Sequence, residues 1–536
     1  MKHTKKLASL LLALALAFAL AVPAFAAGET YSITINNATP GHTYEAYQIF
    51  TGDLHETTTG VGESATTTKV LSNIVWGSGI SEDGKTALQN KYDTAATKSA
   101  AGVAKALTTG NAVQFAKDAA GFLTTTKVDS GYSATNKNYV ISGLAAGYYL
   151  VKDKDGSLTD DADAYTEYIV KVVSNTTATP KSSVPQVEKK VEDTNDSTGE
   201  TSGWQDSADY DIGDSVPFQL KATLANNVSS YTTYKVVFHD TLSAGLTYNN
   251  DAVVKVGGTV VFDAKDGTKT KAGVSVTCEG NALTVTIEDV KTNDIGGNNN
   301  SIVTVDYTAT LNDKAVVGSA GNSNKVKLEY SNNPNKSGTG GDNETGNTPE
   351  DTVIVFTYKV IINKVDGSQN ALTGAEFTLE KYYKGTKPDG ATFEEVKNDD
   401  NTVVGYWKPI AVVKNADGTT FTFAGLDDGD YRLTETKTPA GYNTIAPIEF
   451  TINAQHDIEN ANPSMSSLSG TASKNEITFT PNLIEGSLSS DVINNAGATL
   501  PETGGMGTTV FYVLGGVLVV GAVVLLITKK RMGAEH

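Results

Sequence analysis

The chain has 536 residues, 61 acidic against 42 basic side chains, a formal charge of −19 and a single cysteine, Cys278. So acidic a surface argues against nucleic acid as a partner, and one cysteine excludes an intramolecular disulfide. The length exceeds what one hydrophobic core supports and implies several domains.

Residues 1–26 join the basic "MKHTKK" to an apolar run and a small-x-small end at Ala24-Phe25-Ala26, which reads as a secretory signal peptide. Residues 27–178 form a first domain. Its Thr/Tyr/Val-rich ends flank an Ala-rich, helix-favouring stretch from about Thr86 to Leu123. "TATPKSSVPQVEKKV" (177–191) is a Pro-marked junction into a middle domain, 179–336, where "YKVVFHDTL", "NALTVTI" and "NKVKLEY" alternate as strands do. Cys278 falls in such a run and is expected to be a buried strand residue without a function of its own. The Gly/Asn/Ser/Thr-rich stretch 332–352 reads as a linker, placed at 337–350, before a third domain at 351–497. The fold class expected is mainly β: three tandem β-sandwiches, the first with an inserted helical segment. Residues 498–536 carry "LPETGG", an apolar run from about Thr508 to Ile527, and Lys529-Lys530-Arg531. That is long enough to span a bilayer, with its basic cluster on the inner side.

One acid sits awkwardly. In "FAGLDDGDYRLTETKTPAGY" (423–442), Phe423, Tyr431, Leu433 and Glu435 share one strand face, and the apolar members make it the buried one. A lone carboxylate in a core must be paired or protonated. There is an echo at 139–153: Gly143, Leu144, Gly147, Tyr149, Val151 and Asp153 line up with Gly425, Leu426, Gly429, Tyr431, Leu433 and Glu435. The first and third domains thus read as variants of one sandwich, each with an inward acid.

Leu500-Pro501-Glu502-Thr503-Gly504, with the apolar span and basic tail behind it, resembles the cell-wall sorting signal of Gram-positive surface proteins. "YRLTETKTPAGY" is similar to the E-box of collagen-adhesin B-type domains, departing at Thr438, where alanine is usual. "INKVDGSQNALTGAEFTLEKY" resembles the opening strand pair of that domain, and "PQVEKKVEDTN", "FHDTLSAGLTY" and "NKVKLEYSNNP" resemble the middle domain of sortase-assembled fimbrial subunits. Together the chain resembles the backbone pilins of Gram-positive pili.

The resemblance implies self-generated Lys–Asn isopeptide bonds, and the residue types suit that chemistry. A desolvated lysine is a neutral nucleophile, a protonated buried acid polarises the amide and relays protons, and folding supplies proximity. In the third domain it implies Lys364, Glu435 and Asn494, with Asn495 the neighbouring alternative. In the middle domain it implies Lys189, which shares a strand face with Val187 and Val191 while Lys190 does not, Asp240 as the acid, and Asn324, with Asn322 the alternative. No lysine lies between Ala27 and Lys69, so no such bond is expected in the first domain, although Asp153 holds the acid position.

It further implies that a sortase cuts between Thr503 and Gly504 and joins Thr503 to a lysine of the next subunit. Thr179-Pro180-Lys181 offers Lys181; Lys171, mid-strand, is the poorer choice. The partners implied are pilus-specific and housekeeping sortases, copies of the chain itself, other pilin subunits and wall peptidoglycan, with the product exported to the cell surface. No cofactor is expected, and none of His42, His55, His239 and His456 is spaced as a metal ligand. No arrangement for a conventional enzyme is present. The alternative reading is a monomeric wall-anchored adhesin or minor pilin that uses the same domains as a stalk for a host ligand.

Overall fold

The computed structural model describes residues 29–532 apart from 60–65, 159, 161, 181, 342–343, 386, 389–391, 411–412, 415–417, 475–476 and 498–505. The expected signal peptide, 1–26, lies outside the described residues.

Three β-rich bodies follow one another along the chain, each with its core between two sheets. In the first, strands Gly131–Ser133, Asn138–Leu144, Tyr31–Ile35 and Thr176–Ala178 lie in that order, facing a sheet ordered Thr66–Trp76, Tyr44–Thr59, Gly147–Asp153, Glu167–Val172. Ile33, Tyr44, Ile141 and Val151 fill the space between them. The other face of the second sheet is covered by three helices, Glu82–Tyr92, Ala100–Ala106 and Ala112–Ala120, through Leu88, Val103 and Phe115. The Ala-rich stretch is therefore not one helix. Asp93 ends the first helix and turns the chain, accepting from the backbone N–H of Ala95 and Ser99 at 2.9 Å each, and Ser99 caps the next helix.

The middle body packs a sheet built on Gln186–Val191, Ser215–Thr223, Ile302–Leu311 and Val253–Val256 against one built on Asn322–Ser331, Val236–Leu242 and Ala282–Ile287. Burial alternates without interruption along Ser215–Thr223 and Ile302–Leu311, as the two-residue period of a half-buried strand requires. Cys278 lies on the outermost strand of the second sheet and is half-buried rather than buried.

Residues 337–350 are not a linker between bodies. Strand Asp351–Phe356, expected at the head of the third domain, pairs with Asn322–Ser331 and buries Val353 and Val355 in the middle core. The Gly-rich stretch before it is a folded excursion: the Glu344 carboxylate accepts from the backbone of Thr339, Gly340 and Gly341 at 2.9, 3.2 and 3.2 Å. Its composition is that of a linker because such turns need small residues.

The third body begins at Tyr358. Its first and last strands, Tyr358–Asp366 and Ser487–Asn494, run parallel and adjacent, with Lys364 opposite Val492 and Asp366 opposite Asn494. A sheet centred on Glu376–Lys384 and Gly429–Lys437 closes the sandwich. The echo between 139–153 and 421–435 has a structural counterpart. Tyr149 and Tyr431 each donate a hydroxyl hydrogen bond to the carbonyl four residues back, Ala145 at 2.9 Å and Asp427 at 2.8 Å. Beyond 505, Met506–Met532 is a helix long and apolar enough to cross a membrane.

Candidate functional site

In the third body, strand Gly429–Lys437 turns Tyr431, Leu433 and Glu435 inward, and Glu435 is 5 % exposed. Lys364 and Asn494 are fully buried beside it. The Lys364 ammonium donates to the carbonyls of Val492 at 2.7 Å and Val365 at 3.4 Å rather than to a carboxylate. Burial pushes its pKa down from 10.5 to about 8, with the charge of Glu435 opposing. Asn494 Nδ2 donates to Glu435 Oε2 at 3.1 Å and to the Asn443 carbonyl at 2.9 Å. Since a carbonyl only accepts, that second bond fixes which end of the amide is nitrogen. Asn494 Oδ1 and Glu435 Oε1 are left buried without hydrogen-bond partners. Asn495 is exposed.

The middle body assembles the same three residue types across its two sheets. Lys189, fully buried, reaches from Gln186–Val191 to Asp240 Oδ1 at 2.6 Å and to the Tyr307 hydroxyl at 3.0 Å, whereas Lys190 is half-buried and paired with Asp206. Tyr307 donates its proton to Asp240 Oδ2 and accepts from Asn324 Nδ2 at 2.7 Å. With the lysine, its one donor and two acceptor positions are full. Lys189 also lies 5.4 Å from the ring centres of Phe218 and Tyr307, and burial lowers its pKa. Asn324 Oδ1 is buried without a partner. Asn322 is engaged elsewhere, accepting from Val316 N at 2.8 Å and donating to the carbonyls of Val316 and Val355.

The first body keeps the acid and changes the cation. Asp153 is fully buried, and His42 Nδ1 lies 2.7 Å from its Oδ1, while His42 Nε2 lies 2.8 Å from Asp163 Oδ2. Two carboxylates overcome the desolvation of the imidazole and raise it to about 9. Lys181 and the pentapeptide Leu500-Pro501-Glu502-Thr503-Gly504 lie outside the described residues. Lys171 sits within strand Glu167–Val172, its ammonium on the Lys69 carbonyl at 3.2 Å.

Two side chains of these clusters escaped sequence reasoning, and a third showed only as an irregularity. Tyr307 and His42 act across more than 60 residues of chain, which no local pattern reports. Thr438, the one departure from the E-box, was legible as an anomaly: its hydroxyl lies 3.2 Å from Glu435 Oε2.

The model of the Gram-positive pilin backbone subunit 2, Cna-B-like domain, matches residues 212–334. The prealbumin-like fold domain matches 358–463, and the LPXTG cell wall anchor motif matches 493–532. The trypsin-resistant surface T6 protein of Streptococcus pyogenes serotype M6 is 26% identical over 449 residues, covering 72% of this chain and 75% of that protein. The chain is similar to the Gram-positive backbone pilins.

Among solved structures, the chain resembles the T6 backbone pilin of serotype M6 S. pyogenes, described as a modular three-domain structure, with a TM-score of 0.54 and 19% identity over 89% of this chain and 100% of the other. The full-length major pilin SpaD of Corynebacterium diphtheriae gives 0.45 and 18% over 88% and 98%. Within the chain, Asp240 and Asn324 fall in the first matched stretch, Lys364 and Glu435 in the second and Asn494 in the third; Lys189 precedes them all. The anchor motif and the apolar helix behind it make the chain a cell-wall-anchored surface protein.

Proposed function

We propose that this pilin is a shaft subunit that sortases join head to tail, Thr503 of one copy to Lys181 of the next, and that its middle and third sandwiches are each locked by an internal amide bond, Lys189–Asn324 and Lys364–Asn494. The observation that carries the reading is the recurrence, in two bodies, of a buried cluster of lysine, acid and amide whose amide oxygen has no partner. Burial that unmakes hydrogen bonds is costly in a purely structural core. Here it suits a reaction.

In the third body the step is written as follows. Lys364 passes a proton to Glu435, and the neutral Nζ attacks Asn494 Cγ, placing negative charge on Oδ1. As the bond from Cγ to Nδ2 breaks, Glu435 returns that proton to Nδ2, which departs as ammonia, and takes the second proton from Nζ, so that the new amide keeps one hydrogen and Glu435 ends protonated. In the middle body Asp240 has the acid's role, and the Tyr307 hydroxyl holds lysine, acid and amide nitrogen together. Each site turns over once. Contact within the fold supplies the effective concentration that an amide and an amine lack in solution.

Boiled, reduced wall extract run on a denaturing gel should give a ladder of high-mass species, because amide links survive such treatment. Lys181→Ala should collapse it to a monomer that is still attached to peptidoglycan by the housekeeping sortase. A single band in the wild type would move the reading to a wall-anchored adhesin.

A further inference from the structure

Between the middle and third bodies lies a cluster of charge that the shaft reading does not use. Asp193, Asp196, Asp209 and Asp211 come from the middle body, and Lys381, Asp427, Asp428 and His456 from the third. Part of the cluster is complete in itself. The Lys381 ammonium, fully buried, donates to Asp211 at 2.7 Å, Asp427 at 2.9 Å and Asp196 at 3.0 Å, which uses its three protons. The carboxylate triad around it thus holds its cation already.

The neighbouring triad has no lysine, only the imidazole of His456. Ser207 Oγ donates its only proton to the Asp457 carbonyl, so at 2.7 Å it must accept from His456 Nδ1. That places the ring proton on Nδ1 and turns Nε2 toward Asp209 Oδ1 at 3.6 Å and Asp193 Oδ2 at 3.8 Å. Both separations are too long for a hydrogen bond. They are close to the roughly 3.4 Å that separates two N or O atoms bound to one tetrahedral zinc. Asp209 is 2 % exposed, and its Oδ2 has no hydrogen-bond partner. It also supplies an oxygen within 4.8 Å of ligand atoms of both Asp427 and Asp428. A histidine whose far nitrogen is anchored to a second polar group is the usual arrangement of a metal-binding imidazole. Asp193, about a fifth exposed, gives the site an opening to solvent.

We propose that Asp193, Asp209 and His456 bind a divalent transition-metal ion of the zinc class, which ties the third sandwich to the middle one. The imidazole sets the class. Calcium and magnesium take oxygen ligands, whereas imidazole with carboxylates suits zinc and its first-row neighbours. Two ligands come from one body and one from the other, so the ion fixes their mutual angle. Spacing along the chain hides the site, because His456 lies far from both aspartates in sequence.

The test is calorimetric titration of chelator-treated mature protein, residues 27–503, with zinc chloride, then with calcium chloride. We expect one equivalent of zinc bound, a higher unfolding temperature of the zinc-loaded protein, and no displacement by a hundredfold excess of calcium. His456→Gln should abolish that equivalent, and Ser207→Ala, which touches no metal, should weaken it about 10- to 100-fold. His55→Ala, in the first body, should change nothing. Should Asp209→Asn fail to fold, His456→Gln with an unchanged circular dichroism spectrum carries the test. Absence of zinc binding would overturn the proposal. So would zinc binding that survives His456→Gln, or calcium binding in its place on Asp209, Asp427 and Asp428.

Discussion

Tyr307 joins the three groups of the middle cluster. Its hydroxyl is the one atom in contact with lysine, acid and amide together, and Tyr307→Phe removes it without opening a cavity. Lys189 and Asp240 keep their 2.6 Å contact in that variant, but Asn324 loses its partner. Intact-mass measurement of residues 27–503 should therefore show two lost ammonia masses in the wild type and one in Tyr307→Phe, as in Asp240→Ala and in Glu435→Ala. Three losses in the wild type would mean that the first body is bonded too. There the residue at issue is His42. Its folded pKa of about 9 stands above the ordinary 6.5. A raised value stabilises fully below 6.5 and is lost as pH climbs through 9, by up to about 1.4 kcal/mol per pH unit between them. Thermal unfolding of the first body should fall in midpoint from pH 6.5 to 9, and His42→Gln should flatten that dependence.

At the scale of elements, much was legible from alternation. The inward face of Glu435, the choice of Lys189 over Lys190, and the kinship of 139–153 with 421–435 all rest on two-residue periods, and burial follows those periods. What alternation cannot carry is a strand's allegiance. "DTVIVF" reads as a strand in either body, and composition pointed to the third. The decision belongs to pairing with Asn322–Ser331, a contact between distant stretches that only the fold supplies. The consequence is measurable. A middle-body fragment ending at residue 350 loses Val353 and Val355, both fully buried, and should be less stable in urea than one ending at 357 by about 3 kcal/mol or more. Equal midpoints would mean that the strand only rests on the sheet.

Across the whole molecule the proposed bonds would matter through force. Each would close a loop of well over 100 residues, which by the loop-entropy model removes roughly 5 kcal/mol from the unfolded state. Pulling, however, is governed by the unfolding rate. In the third body the first and last strands are parallel neighbours, and Lys364 and Asn494 lie near their far ends. A link there carries tension past the enclosed sandwich. Pulling single molecules from residue 27 to residue 503 should extend the first body and the part of the middle one that follows Asn324, strand Asp351–Phe356 included, which lies outside its loop; Asn494→Ala should add one further step, from the third.

The first body's last strand, Thr176–Ala178, ends just ahead of Lys181. If subunits join at that lysine, tension enters the chain after the first body and leaves at Thr503. The first body is then a pendant, attached to the fibre but never in series with it. Such a side branch needs no covalent lock, and the reversibility of the His42 pair with Asp153 and Asp163 costs the filament no length. Stretching a polymer, unlike stretching the isolated subunit by its termini, should leave the first body folded at every force the fibre survives.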